Sequence, residues 1–174
     1  MAIRRCITWI SVLLGVSLAG SAAAWEKIEG GVSARPVETN SNVEALLVHC
    51  LEGPAIDLYA RDGGPVLPAD RPAPAEYFYL PGLVVADVDG RTFPLVAAGS
   101  DIAVILFSEG AAEQNYMAPV DRALLEAMAT GTALTIRFDI TTDAAPDGSP
   151  HETFIRFDLA DATALINEAV AACG

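Results

Sequence analysis

From Thr132 to Thr141 apolar and polar side chains alternate without a break, Leu134, Ile136, Phe138 and Ile140 against Thr135, Arg137 and Asp139. A period of two places one set on a core face and the other in water, which is the pattern of a half-buried strand. Thr153–Leu159 alternates in the same way, and Asp147-Gly148 sits at the centre of the intervening Asp143–Pro150 stretch, so the two segments read as a hairpin. A hairpin with one apolar face is marginal alone and needs further strands or a helix to cover it.

The rest of the chain supplies them. Trp25–Ala34 reads as a first strand that Pro36 interrupts, and Val43–Leu51 as a central strand because both of its faces are mostly apolar. Gly53-Pro54 makes a turn into Ala55–Arg61, an antiparallel partner. Leu83–Val88 and Arg91–Val96 flank Asp89-Gly90, the dipeptide best suited to a two-residue hairpin turn, and Ile102–Phe107 is a short apolar run bounded by Asp101 and Glu109-Gly110. After Pro119 the period changes. Val120, Leu124 and Met128 recur every fourth residue up to Gly131, a short amphipathic helix with a glycine stop. Asp161 is expected to cap a last helix carrying Leu165, Ile166, Ala169 and Val170. Seven or eight strands and two helices with short connections give a mainly β or α+β fold, an antiparallel β-sandwich-like domain with one internal short helix and a C-terminal helix.

The N-terminus reads as a secretory signal peptide over residues 1–24. Arg4 and Arg5 precede an apolar run from Ile7 to Ala19, and Ala22-Ala23-Ala24 supplies the small residues of a cleavage site. Cleavage after Ala24 leaves a single domain, residues 25–174, in the periplasm or outside the cell. Cys6 departs with the leader, so Cys50 and Cys173 remain, an even pair in an oxidising compartment. They either form a disulfide across a very long loop or stay as two buried thiols.

Charge excludes one class of partner. Removing Arg4 and Arg5 from ten basic residues leaves eight against 23 acidic ones, a net charge of −15, and Lys27 is the only lysine. Nucleic acid and anionic lipid are poor partners for such a field. Catalytic motifs are wanting as well. Gly99-Ser100-Asp101 lacks the glycines of a nucleophile elbow, no phosphate-binding glycine loop is followed by Lys, and Asp87-Val88-Asp89-Gly90 lacks the closing Glu of a calcium loop. His49 and His151 show no zinc spacing with the cysteines. No cofactor or metal is expected, and no catalytic residue is assigned. His49 lies in the most apolar strand, where a hydrogen-bonded structural role is the expectation, and His151 lies at a turn.

The order of an early Trp25, Leu46-Leu47-Val48-His49-Cys50, Leu58-Tyr59, a helix before Gly131, and Thr153–Leu159 leading to a helix ending at Cys173 resembles small exported bacterial proteins of the VasI type, accessories of type VI secretion. It is similar in outline to the invasion-associated locus B proteins. The chain departs from them at His49, where a basic residue precedes the first cysteine, and at Ala160-Asp161, where a glycine is usual. The resemblance implies a disulfide-bonded periplasmic β domain without known catalysis.

The expectation is therefore a non-enzymatic binding or accessory protein, its partner another envelope or secreted protein. A hydrolase or isomerase using His49 with nearby carboxylates is the alternative, and a small-ligand carrier is a third. The discriminating features are His49 in a cleft beside a carboxylate and an apolar pocket for the enzyme, a flat apolar patch for the binder, and an enclosed apolar cavity for the carrier. Asp62–Pro81, whose prolines keep it out of a sheet, carries Tyr77, Phe78 and Tyr79 as the candidate partner-contact residues.

Overall fold

Every described strand pairs antiparallel with its neighbours, an arrangement that short connections allow. The computed structural model describes residues 24–50, 52–60, 84–99, 103–111, 116–138 and 152–173. Tyr77, Phe78, Tyr79, His151 and the leader lie outside them. In chain order the strands are β1 Trp25–Ile28, β2 Gly31–Ala34, β3 Glu38–Thr39, β4 Val43–Cys50, β5 Pro54–Ala60, β6 Val84–Val88, β7 Arg91–Gly99, β8 Ala103–Phe107, β9 Glu109–Ala111 and β10 Tyr116–Ala118. Helix α1 (Arg122–Thr130), β11 (Ala133–Phe138), β12 (Thr153–Asp158) and helix α2 (Thr163–Ala171) follow.

Ten strands share one order, β1-β2-β4-β5-β8-β7-β6-β11-β12-β3, and β9 with β10 forms a separate ribbon. Strand β7 belongs to both halves. Its residues 91–95 pair with β6 and its residues 96–99 pair with β8. The inner residues of both halves meet in one core, Leu46, Val48, Ile56, Leu58 and Leu106 from one side and Val84, Ala86, Leu134, Ile136, Phe138, Ile155 and Phe157 from the other. Helix α1 adds Leu124, Leu125 and Met128, and α2 adds Ile166 and Ala169. The mainly β, sandwich-like class with two helices thus holds.

Local chemistry explains most boundaries. The Asp121 carboxylate accepts the N–H of Ala123 at 2.9 Å and starts α1, and the Gly131 N–H closes its end on the Ala127 carbonyl at 2.7 Å. Asp89 (φ +50°) and Gly90 (φ +88°) form the two-residue turn between β6 and β7. Both central residues are left-handed, the conformation that Asp-Gly tolerates.

Two expectations are corrected, and one element is new. Trp25–Ala34 is a hairpin rather than one strand, turning at Glu29-Gly30, where Gly30 has φ +81°. Asp161 does not cap α2. It is itself left-handed, φ +62°, in the turn after β12, and the cap position falls to Ala162 with no side-chain hydrogen bond. The β9–β10 ribbon was not anticipated, because three-residue strands carry too little pattern to be read.

The outer face of the β6, β11 and β12 half is polar, with Arg137 3.4 Å from Glu152 and 3.9 Å from Asp87, and Arg156 3.7 Å from Glu38. Such exposed pairs contribute little, and they mark a solvated face. The outer face of the β2, β4, β5 and β8 half is of another kind.

Candidate functional site

Strand β4 buries Leu46 and Val48 in the core and sends Leu47 and His49 the other way; β5 likewise buries Ile56 and Leu58 and turns Ala55, Asp57 and Tyr59 outward. Pairing sets these in rows. His49 stands opposite Ala55, Asp57 stands between Leu47 and Ile105, and Tyr59 stands between Ala45 and Ala103. His49 and Asp57 are diagonal neighbours on one face, close enough for their side chains to meet.

They do meet. His49 Nε2 lies 2.9 Å from Asp57 Oδ2. The approach is off the line of a hydrogen bond, so Nε2 and the second carboxylate oxygen, Oδ1, are both buried without a hydrogen-bonded partner. Asp57 is only 5% exposed. A carboxyl so far from water loses hydration that the off-axis imidazole and the Tyr59 hydroxyl replace only in part. The Tyr59 phenol is held above its ordinary value, first by burial, then by the negative charge of Asp57 and a hydrogen bond to it. The histidine expected here in a structural role lies against a buried acid, its Nε2 making no hydrogen bond of ordinary geometry.

The same face opens into a cleft of about 370 Å³. Its floor is Ala55, Ile105 and Phe107, its wall is Met117 and Pro119, and the Glu52–Pro54 turn forms the rim. Ala55 is the cross-strand neighbour of His49 and Ile105 that of Asp57, so both side chains stand one strand away from floor residues, outside the lining itself. The wall is fastened to both strands below it. Ser108 Oγ donates to the Pro119 carbonyl at 2.7 Å, and the Val120 N–H donates to the Pro54 carbonyl at 2.9 Å. Gly53 permits the approach, since its φ is +149° and a Cβ there would fall 2.6 Å from Pro119 Cγ. Tyr116 and Met117 on the ribbon beside the cleft are 49% and 42% exposed.

Cys50, next to His49 at the end of β4, and Cys173, just past α2, lie at disulfide distance, their Cα atoms 5.3 Å apart across 123 residues. The bond would anchor the last helix to the strand that carries the site. Among the described residues no three His, Cys, Asp or Glu side chains converge as a metal site, and no helix is long and apolar enough to cross a membrane.

Of the residues singled out in the sequence, the structure brings His49 to this face and places the Cys50–Cys173 pair at the end of the same strand. Asp57 was not singled out. The signal was present in Ile56-Asp57-Leu58, an acid in a strand apolar on both faces with a histidine one strand away. The cleft wall had no comparable signal, because Met117-Ala118-Pro119 reads as a linker before a helix. No protein-family model, curated protein or solved structure matches the chain.

Proposed function

We propose that the chain is an exported, non-enzymatic binding protein that holds a small, largely apolar ligand in the cleft over Ala55, Ile105 and Phe107. One observation carries the reading: a cleft of about 370 Å³ is lined almost wholly by apolar residues, Ala55, Ile105, Phe107, Met117 and Pro119 among them. Small-molecule sites occupy about 300–1,000 Å³ and combine an apolar lining with few polar groups. Export rests on the leader and on the Cys50–Cys173 pairing, which suits an oxidising compartment.

Acid–base catalysis has one point in its favour, the His49–Asp57 pair beside an apolar pocket. A working dyad needs its second imidazole nitrogen turned toward a substrate or nucleophile. His49 Nε2 lies against the Asp57 carboxyl off the line of a hydrogen bond, and neither residue lines the cleft. Binding is therefore the better account.

Titration with the neutral apolar dye Nile red tests it. Saturable binding at one site, weakened by Met117→Glu at the wall and by Ala55→Trp on the floor, is the expected result. Met117 is 42% exposed, so its replacement leaves the core intact. Absence of saturable binding, or affinity unchanged in both variants, would overturn the proposal.

A further inference from the structure

We infer that Met117 is an oxidation site that switches the cleft: conversion of its thioether to the sulfoxide by a peroxide loosens the hold on an apolar ligand. The inference rests on the cleft reading and adds a regulation to it. Of the three methionines in the chain, Met1 lies outside the described residues. Met128 sits in the core on α1, 0% exposed, whereas Met117 on β10 is 42% exposed. Oxidation follows access, so a dissolved oxidant reaches one of these thioethers and is kept from the other. The cross-strand partner of Met117 on the ribbon is Gly110, which has no side chain to lay over it.

The same side chain belongs to the cleft wall. Among the described lining residues the one polar side chain is Glu52, at the rim, and none carries a hydrogen-bond donor that a sulfoxide oxygen could accept from. An apolar ligand laid against that oxygen would strip its water and return nothing. The backbone around it is tied down, by the pairing of Tyr116 with Ala111 on one side and by the Val120 N–H on the Pro54 carbonyl at 2.9 Å on the other. Oxidation therefore changes the chemistry of the wall and not its position.

The step balances with a peroxide as the oxidant. A lone pair on Sδ attacks one peroxide oxygen, and the S–O bond forms as the O–O bond breaks. The sulfur gives up two electrons, and the departing hydroxide takes the proton of the transferred oxygen and leaves as water. Sulfoxide reductases restore the thioether, one enzyme for each epimer, so the change is reversible.

Nile red titration of the purified protein before and after hydrogen peroxide, with oxygen addition located by peptide mass mapping, tests the switch. The Met117 peptide should gain one oxygen while the Met128 peptide does not. Affinity should fall about fivefold to tenfold with the thermal midpoint unchanged. Peroxide should leave Met117→Leu at whatever affinity it had before treatment, and Met128→Leu should respond as the parent does. Met117→Gln should bind more weakly than the parent with no oxidant added.

Oxygen gained at Met128 as fast as at Met117, or a loss of affinity that Met117→Leu shares, would overturn the assignment of the site. Oxygen gained at Met117 with affinity unchanged would overturn the switch and leave the cleft reading standing. A midpoint that falls along with the affinity would assign the loss to unfolding and overturn the switch as well. Absence of Nile red binding before peroxide would remove both proposals. If Met117→Leu fails to fold, the parent decides: affinity lost in step with oxygen gained at Met117 supports the switch, and affinity lost out of step overturns it.

Discussion

The Asp89 carboxylate accepts both the backbone N–H and the hydroxyl of Thr132, each at 2.7 Å, across 43 residues of sequence. Its Oδ1 also takes the Ala133 N–H at 3.1 Å, so the tip of the β6–β7 hairpin holds the first residues of β11 in register. These bonds, the Thr132 hydroxyl foremost, hold the carboxyl below its ordinary value of 3.8 against a small opposing effect of desolvation.

A pH dependence follows with a definite sign. The folded value is depressed, so the stabilisation is complete above the unfolded carboxylate range and is lost as pH falls through the folded value. Asn tolerates the left-handed backbone of this turn, so Asp89→Asn removes the charge without straining it. The thermal midpoint of Asp89→Asn should fall less steeply than that of the parent as pH drops below about 5. Identical slopes for the two proteins would show that the clamp is not coupled to protonation.

Gly131 is fixed by space and not by its own dihedrals. A Cβ at this position would lie 2.5 Å from Val88 Cγ1, 2.9 Å from the Ala127 carbonyl and 3.0 Å from Asp89 Oδ2. Gly131→Ala should destabilise by about 1–3 kcal/mol, the usual cost of overpacking, read as a lower denaturant midpoint with unchanged m-value.

The Cys50–Cys173 pair spans 123 residues, for which chain-entropy models give about 4–5 kcal/mol less any native strain. The double variant Cys50→Ser with Cys173→Ser should lose at least about 2 kcal/mol of unfolding free energy, and both cysteines of the protein purified without reductant should resist alkylation in denaturant. Full alkylation would establish two free thiols.

Tyr59 offers a spectroscopic reporter on Asp57. Burial is the first cause of its raised value and Asp57 the second, so Asp57→Asn should bring its ultraviolet titration partway back toward 10.0 and no further. A titration unmoved by the substitution would place the phenol out of reach of the carboxylate.

Elements with long, regular patterns were legible from residues alone. The alternation of Leu134, Ile136 and Phe138 and that of Thr153, Ile155 and Phe157 decided two strands and their shared face, and all six are buried. Asp89-Gly90 decided a turn because few residue pairs accept two left-handed conformations in succession. The doubly apolar β4 reads as a central strand, and it lies inside the sheet between β2 and β5.

Other features depend on what is brought close, which no local pattern encodes. Asp161 has the chemistry of a helix cap, yet the turn out of β12 takes it into the left-handed region and the cap is lost. Asp57 reads in the chain as one acid among 23. Only the register of β5 against β4 and β8 sets it beside His49, away from water and one strand away from the floor of an apolar cleft, and register is a property of the assembled sheet. The sequence by itself thus determined which segments are strands and helices, because period and turn chemistry act within a few residues. The site was decided by tertiary structure, since burial, pairing and the cleft itself arise between strands.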